Sequence, residues 1–336
     1  MYMTPYFVLN ANGKDISQSL MDRVVSVRVR QKSGLISDTC IIEIDDHREN
    51  PIQLPSSDDT ISIALGYAQE ATDDASQLIN FGQFDVSEFS LDGVRDTLTI
   101  FGNKSIWSKG LQIPLKFSWL SDPDQPLLLK NLVDKIASKY GLQAKLSSKL
   151  NTIELPAIEQ NESDMQLLTR LASYYDAIVK IIDDFLVFIP RGTGKTTSGK
   201  KLKEVTLVRE QLLSWTALNT QYPGYKSCQA WYHDFITASR KKVKVGSDKP
   251  CFDLNLTYAN EVTAKLAAKA RLTHANRMAK SIDLKFIGEP NVIAGGVIKV
   301  EGVRDGIDGR WFVSQVEHSI DSKGFVSQAQ CVLLTE

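Results

Sequence analysis

The chain has 336 residues, 43% of them hydrophobic and 24% charged, which suits a water-facing protein with room for two cores of about 150 residues each. Its 39 Lys and Arg side chains nearly cancel its 40 Asp and Glu, so the basic excess of a dedicated nucleic-acid binder is missing. Apolar runs stay short of the roughly 18 residues that span a bilayer, and no membrane partner is expected.

The N-terminal stretch MYMTPYFVLNANGKD has no charged segment followed by an apolar one, so no secretory leader is expected. Within it, Asn12-Gly13 marks a hairpin, because both residue types tolerate positive φ. Residues 24–31 alternate apolar and polar, as a half-buried strand does. CIIEID, TISIALGY, FGQFDVSEFSLDG and RDTLTIFGN follow, with Asp92-Gly93 at a second hairpin turn. This pattern indicates an antiparallel barrel or sandwich over residues 1–118.

Residues 119–205 change period. Across 125–142, Leu128, Leu132, Ile136 and Tyr140 share a helical face, and Gly141 stops the helix. ESDMQLLTRLASYYD opens a second helix: Ser163 with Gln166 makes a capping box, Asp164 suits the positive helix end, and Leu167, Leu168, Leu171 and Tyr175 form the stripe. AIVKIIDDFLVFIP then reads as a hairpin turning at Asp183-Asp184. Residues 206–336 return to strands around one Ala-rich helix, 260–280, whose Ala264, Ala267, Ala268, Ala270 and Ala275 permit close packing on a sheet. The fold class expected is α+β, mostly antiparallel β, with a small helical insert.

No catalytic, cofactor-binding or metal-binding residues emerge. The loop 191–201, RGTGKTTSGKK, follows a strand as a phosphate-binding loop does, but G-x-x-x-x-G-K-[ST] fails in both registers. With Gly194-Lys195-Thr196 in place, Ile189 replaces the first glycine; with Gly194 and Gly199-Lys200 in place, Lys201 replaces the magnesium-binding hydroxyl. The segment after it reads as a strand, so no helix N-terminus would face a phosphate, and an exposed, mobile loop or an assembly contact is expected. His47, His233, His274 and His318 lack partners at metal-ligand spacing. A triad of His318 with Ser319 and Asp321 lacks the nucleophile elbow, and adjacent strand residues point to opposite faces. Asp45-Asp46, Asp58-Asp59, Asp73-Asp74 and Asp183-Asp184 fall in turns, where Asp bonds locally. SRKKVKV, 239–245, reads as a solvated sheet edge guarded by lysines. Cys40, Cys228, Cys251 and Cys331 are far apart and read as small buried residues of a protein folded in a reducing cytoplasm.

Two stretches carry a resemblance. NESDMQLLTRLASYYDAIVKIIDDFLVFIPRG, with Glu162, Ser163, Asp164, Leu168, Arg170, Leu171 and Ala172, resembles the central segment of phage late control gene D proteins. AKLAAKARLTHANR and the spacing of Gly288, Pro290, Gly295, Gly302, Gly309, Trp311, Val313, Val316, His318, Gly324 and Phe325 are similar to that family's C-terminal pattern. The resemblance implies a tail hub of contractile-tailed phages such as Mu, similar to the head of the valine–glycine-repeat spike of type VI secretion. It implies two related β-barrel domains per chain and a homotrimeric, pseudo-hexameric ring joining tail tube to trimeric spike. Expected partners are the spike, the tube and the tape-measure protein, with no specific nucleic acid and a central channel open to passing DNA. The expected location is the virion baseplate, after assembly in the host cytoplasm, with no enzymatic activity. The alternative is a tail-tip enzyme, a peptidoglycan hydrolase or a nucleotidase.

Overall fold

The computed structural model describes residues 3–34, 37–56, 58–69, 78–104, 110–122, 124–182, 184–194, 200, 202–219 and 225–334. The strands expected from period-two alternation form where they were placed. Asn12 and Gly13 take φ of 50° and 79° and close the hairpin between Met3–Ala11 and Lys14–Asp15. The second hairpin turns through residues 93–96, with Asp92 paired to Thr97.

A thirteen-stranded sheet runs through the molecule. Its ladder starts at Leu212–Asn219 and passes Lys280–Ile287, Gly324–Leu333 and Gly309–Asp321. It crosses into Val24–Lys32, then Thr39–Asp45, Thr97–Asn103, Ile79–Asp92, Thr60–Gln69 and Met3–Ala11, and ends at Lys14–Asp15. Val297–Glu301 pairs with Gly309–Asp321 and, in parallel, with Glu204–Val208.

Two β-barrels are not found: among the described residues no barrel closes. The physical reason is one shared strand. The first part of Gly309–Asp321 pairs with Val297–Glu301, while Gln315 to Asp321 pair with Val24–Lys32. A bulge between Val313 and Gln315 marks the crossing, where the Ser314 carbonyl accepts the Ser33 N–H at 2.9 Å. Trp311, Val313 and Val316 therefore belong to a C-terminal core with Leu284, Phe286 and Val300. Ile320 and Phe325 complete the N-terminal core around Leu9, Val27, Ile42, Ile63 and Leu98.

The insert has a core of its own. Leu129–Lys139 and Asp164–Tyr174 bury Leu132, Ile136, Leu167, Leu168 and Leu171 against the sheet of Gln143–Leu146, Phe185–Pro190 and Ala177–Ile182. Each fully buried Leu or Ile contributes about 1.5–3 kcal/mol relative to exposure. The capping box forms as expected: Ser163 Oγ accepts the Gln166 N–H at 3.2 Å, and Gln166 Oε1 accepts the Ser163 N–H at 3.0 Å. Ile178 packs on Phe312 and Val332, on the face of the large sheet opposite the C-terminal core. The long helix, Glu261–Met278, seats Ala264, Ala267 and Ala268 on Cys228, Ala230 and Tyr258 of a separate sheet, Ser239–Gly246, Ser227–Asp234 and Cys251–Tyr258. Among the described residues Ser239–Gly246 pairs on one side only, so the lysine-rich stretch is a sheet edge as expected. Asp183 and Asp73-Asp74 lie outside the described residues, as do 195–199 and 201 of the loop.

Candidate functional site

The residues that carry the family pattern resolve into turns, caps and packing. Gly295, Gly302, Gly309 and Gly324 all have positive φ. Gly288 is glycine for a different reason: a Cβ there would stand 2.2 Å from the Phe325 ring. Trp311 is buried and its Nε1–H donates to the Ile307 carbonyl at 2.8 Å. In the insert, Glu162 accepts from Arg170 Nε and Nη2 at 2.9 and 2.5 Å. Asp164 accepts from Lys139, Tyr140 and Gln160 at 2.8, 2.6 and 2.9 Å. Burial works to raise the Asp164 pKa, and these bonds overcome it, holding the carboxyl below its ordinary value.

His318 is fully buried. Its Nε2 lies 3.0 Å from the Val292 carbonyl, which can only accept, so Nε2 carries the proton and Nδ1 accepts from the Ser327 hydroxyl at 2.8 Å. Ser327 is its cross-strand neighbour, and burial pushes the imidazole pKa down to about 4. Ser319 faces the Val326 carbonyl and Asp321 caps the Lys323 N–H, so no triad assembles. His47 lies 3.3 Å from Asp45 in an exposed corner, and His233 is exposed on its strand. Asp46 caps Ile52 and Asp59 caps Ser56, as turn aspartates do.

The described part of the loop matches no phosphate cradle. The Leu202 N–H donates to the Gly194 carbonyl at 2.8 Å, and the chain continues into Glu204–Val208, a strand. A Cβ on Gly194 would stand 2.4 Å from Val297, which accounts for a glycine without any ligand. Cys40, Cys228 and Cys331 are buried and Cys251 half-buried; burial raises Cys40 to about 12 and Cys228 to about 11, so both thiols stay protonated. Among the described residues no group of three metal-ligating side chains occurs, and no helix is long and apolar enough to cross a membrane.

Sequence spacing gave no hint of the charged seams. Arg277, fully buried on the long helix, forks onto Asp176 at 2.9 and 2.6 Å, 101 positions away. His274 Nδ1 and Arg191 Nε approach the same carboxylate at 3.5 and 3.9 Å. Burial works to raise the Asp176 pKa, and His274 and Arg277 outweigh it to lower it. Lys180 of the insert reaches Asp38, the residue before the Thr39–Asp45 strand of the large sheet, at 2.8 Å. These contacts join the insert to both of its neighbours.

The outer surface carries apolar and unpaired features. Leu212–Asn219, the first strand of the large ladder, pairs only with Lys280–Ile287 among the described residues and exposes Leu213 and Leu218. The hairpin tip between Ser227–Asp234 and Ser239–Gly246 presents Phe235 and Ile236, the latter 97% exposed.

No protein-family model matches the chain. Over 97% of its length it is 25% identical to the probable baseplate hub protein of Escherichia phage 186, covering 92% of that protein. It is 24% identical to the probable baseplate hub protein of Escherichia phage P2, over 98% of the chain and 93% of the relative. In fold it is similar to the 43 kDa tail protein of prophage MuSo2 from Shewanella oneidensis (TM-score 0.67, 14% identity, 98% of both chains). The tail protein of Neisseria meningitidis MC58 is similar at TM-score 0.66, 11% identity and coverage of 98% and 96%. A type VI secretion component of E. coli described as similar to phage T4 tail proteins matches at TM-score 0.52 and 12% identity, over 98% of this chain and 77% of that one. Over nearly its whole length the chain is thus similar in sequence to the probable baseplate hub proteins of phages 186 and P2, and in fold to phage tail proteins.

Proposed function

We propose that this chain is the hub of a contractile-tail baseplate and acts as a homotrimeric ring joining tail tube to trimeric spike. The observation that carries this reading is the agreement with baseplate hub proteins over nearly the whole of both chains. Two β-cores per chain give a trimer six comparable units, so a three-fold spike and a six-fold tube can both be matched. In sequence terms the units are 1–118, 119–205 and 206–336, with the last hairpin lent to the first unit. The free edge at Leu212–Asn219 supplies unpaired backbone groups for pairing with a neighbouring subunit. Spike, tube and tape-measure protein are the partners, the channel is open to passing DNA, and the ring forms in the host cytoplasm before joining the virion baseplate. The seams at Asp176 and Asp38 keep the insert rigid on the ring, and no catalytic step is involved. Light scattering tests the assembly: the molar mass is expected at three times 37.4 kDa. A stable monomer at micromolar concentration would overturn it.

A further inference from the structure

A cavity of about 280 Å³ opens where the insert meets the long helix, bounded by Tyr174, Asp176, Arg191, Tyr258, Arg271 and His274. Its charges do not balance. Among the described residues Asp176 is the one carboxylate at its wall, and both of its oxygens are held by the Arg277 fork behind the cavity. Arg191 stands 3.9 Å from that carboxylate, and its other bond is to the Ala177 carbonyl at 3.3 Å. Arg271 has no carboxylate within ion-pair distance among the described residues; its guanidinium lies 4.4 Å from the Phe252 ring centroid. Burial lowers the Arg191 pKa; the Asp176 carboxylate opposes this, and the Arg277 charge adds a smaller lowering. In a protein of net charge −1, this is a local excess of cations in a concave, partly desolvated place.

We propose that this cavity is a binding site for an oxyanion, a carboxylate or phosphate group that accepts N–H bonds from Arg271 and Arg191. Guanidinium forks match the paired oxygens of such groups. Arg191 leaves the Phe185–Pro190 strand of the insert, whereas Arg271 and His274 belong to the long helix. A bound anion therefore clamps two elements that also meet through Asp176 and through the Arg277 bond to the Arg191 carbonyl, and it stabilises the folded chain by mass action. The same chemistry is offered by free phosphate and by an acidic side chain of a docking protein, and the site stands independently of the hub reading.

Calorimetric titration of the full chain with inorganic phosphate, and separately with acetate, tests the site at constant ionic strength set by chloride. Saturable binding of either anion is expected, weakened roughly tenfold or more in Arg271→Gln, the loss of a charged hydrogen-bond donor. Phosphate binding alone identifies a phosphate-type ligand; acetate binding, with or without phosphate, identifies a carboxylate. Arg271→Lys keeps the charge without the fork and is expected to weaken binding as well; it serves where the glutamine variant does not fold. No binding of either anion, or equal binding by wild type and both variants, overturns the proposal.

Discussion

His318 shows how a residue of the family pattern serves stability. It is neutral in the folded chain down to about pH 4, whereas the unfolded imidazole takes its proton near 6.5. Between those values the unfolded state binds the extra proton, so acidification through that window favours unfolding. At pH 5 the loss reaches about 2 kcal/mol from this one group. Urea unfolding of His318→Gln is expected to show a flatter pH dependence between 6.5 and 4 than wild type; parallel curves would refute the buried neutral imidazole. Asp176 and Asp164 act at lower pH. Their lowered carboxyls add stability that is lost as pH falls below the ordinary value of 3.8. Removing the cation behind Asp176 has a larger effect: Arg277→Met leaves a buried carboxylate short of its fork and is expected to cost about 3–5 kcal/mol. A shift in the urea midpoint equivalent to less than 1 kcal/mol would show that His274 and Arg191 suffice.

Elements built from neighbouring residues were legible in the sequence, because their causes lie within a few positions. The Ser163–Gln166 box, the Asn12-Gly13 turn and the Ala264–Ala268 face are all of this kind. Strands were legible too, but alternation does not name a partner. The two barrels implied by the resemblance could not be checked that way, and Gly309–Asp321 instead ties both halves into one sheet. The parallel pairing of Glu204–Val208 with Val297–Glu301 and the Pro114–Trp119 ladder with Ile158–Ser163 were equally hidden. So were the Asp176 and Asp38 seams, whose partners meet only through the tertiary fold. The edge strand Leu212–Asn219 carries the element-scale prediction. Leu213→Lys with Leu218→Lys places charge where side chains are 55% and 63% exposed. Monomers with unchanged circular dichroism are expected from light scattering; a mass still at three chains would move the interface elsewhere.

At the scale of the whole molecule, the hairpin Gly309–Asp321 with Gly324–Leu333 brings Ile320 and Phe325 into a core otherwise built from residues before 104. A fragment ending at residue 303 lacks both side chains and leaves Val24–Lys32 without one of its two neighbours. It is expected to unfold without a cooperative transition and to bind a hydrophobic dye; a sharp urea transition would show that the first unit folds alone. The same closure sets a clock for synthesis. While the ribosome is still working, the earliest strands wait open for the last ones. A prematurely terminated chain thus leaves its earliest core unfinished, and the fold itself inspects each copy for the last hairpin.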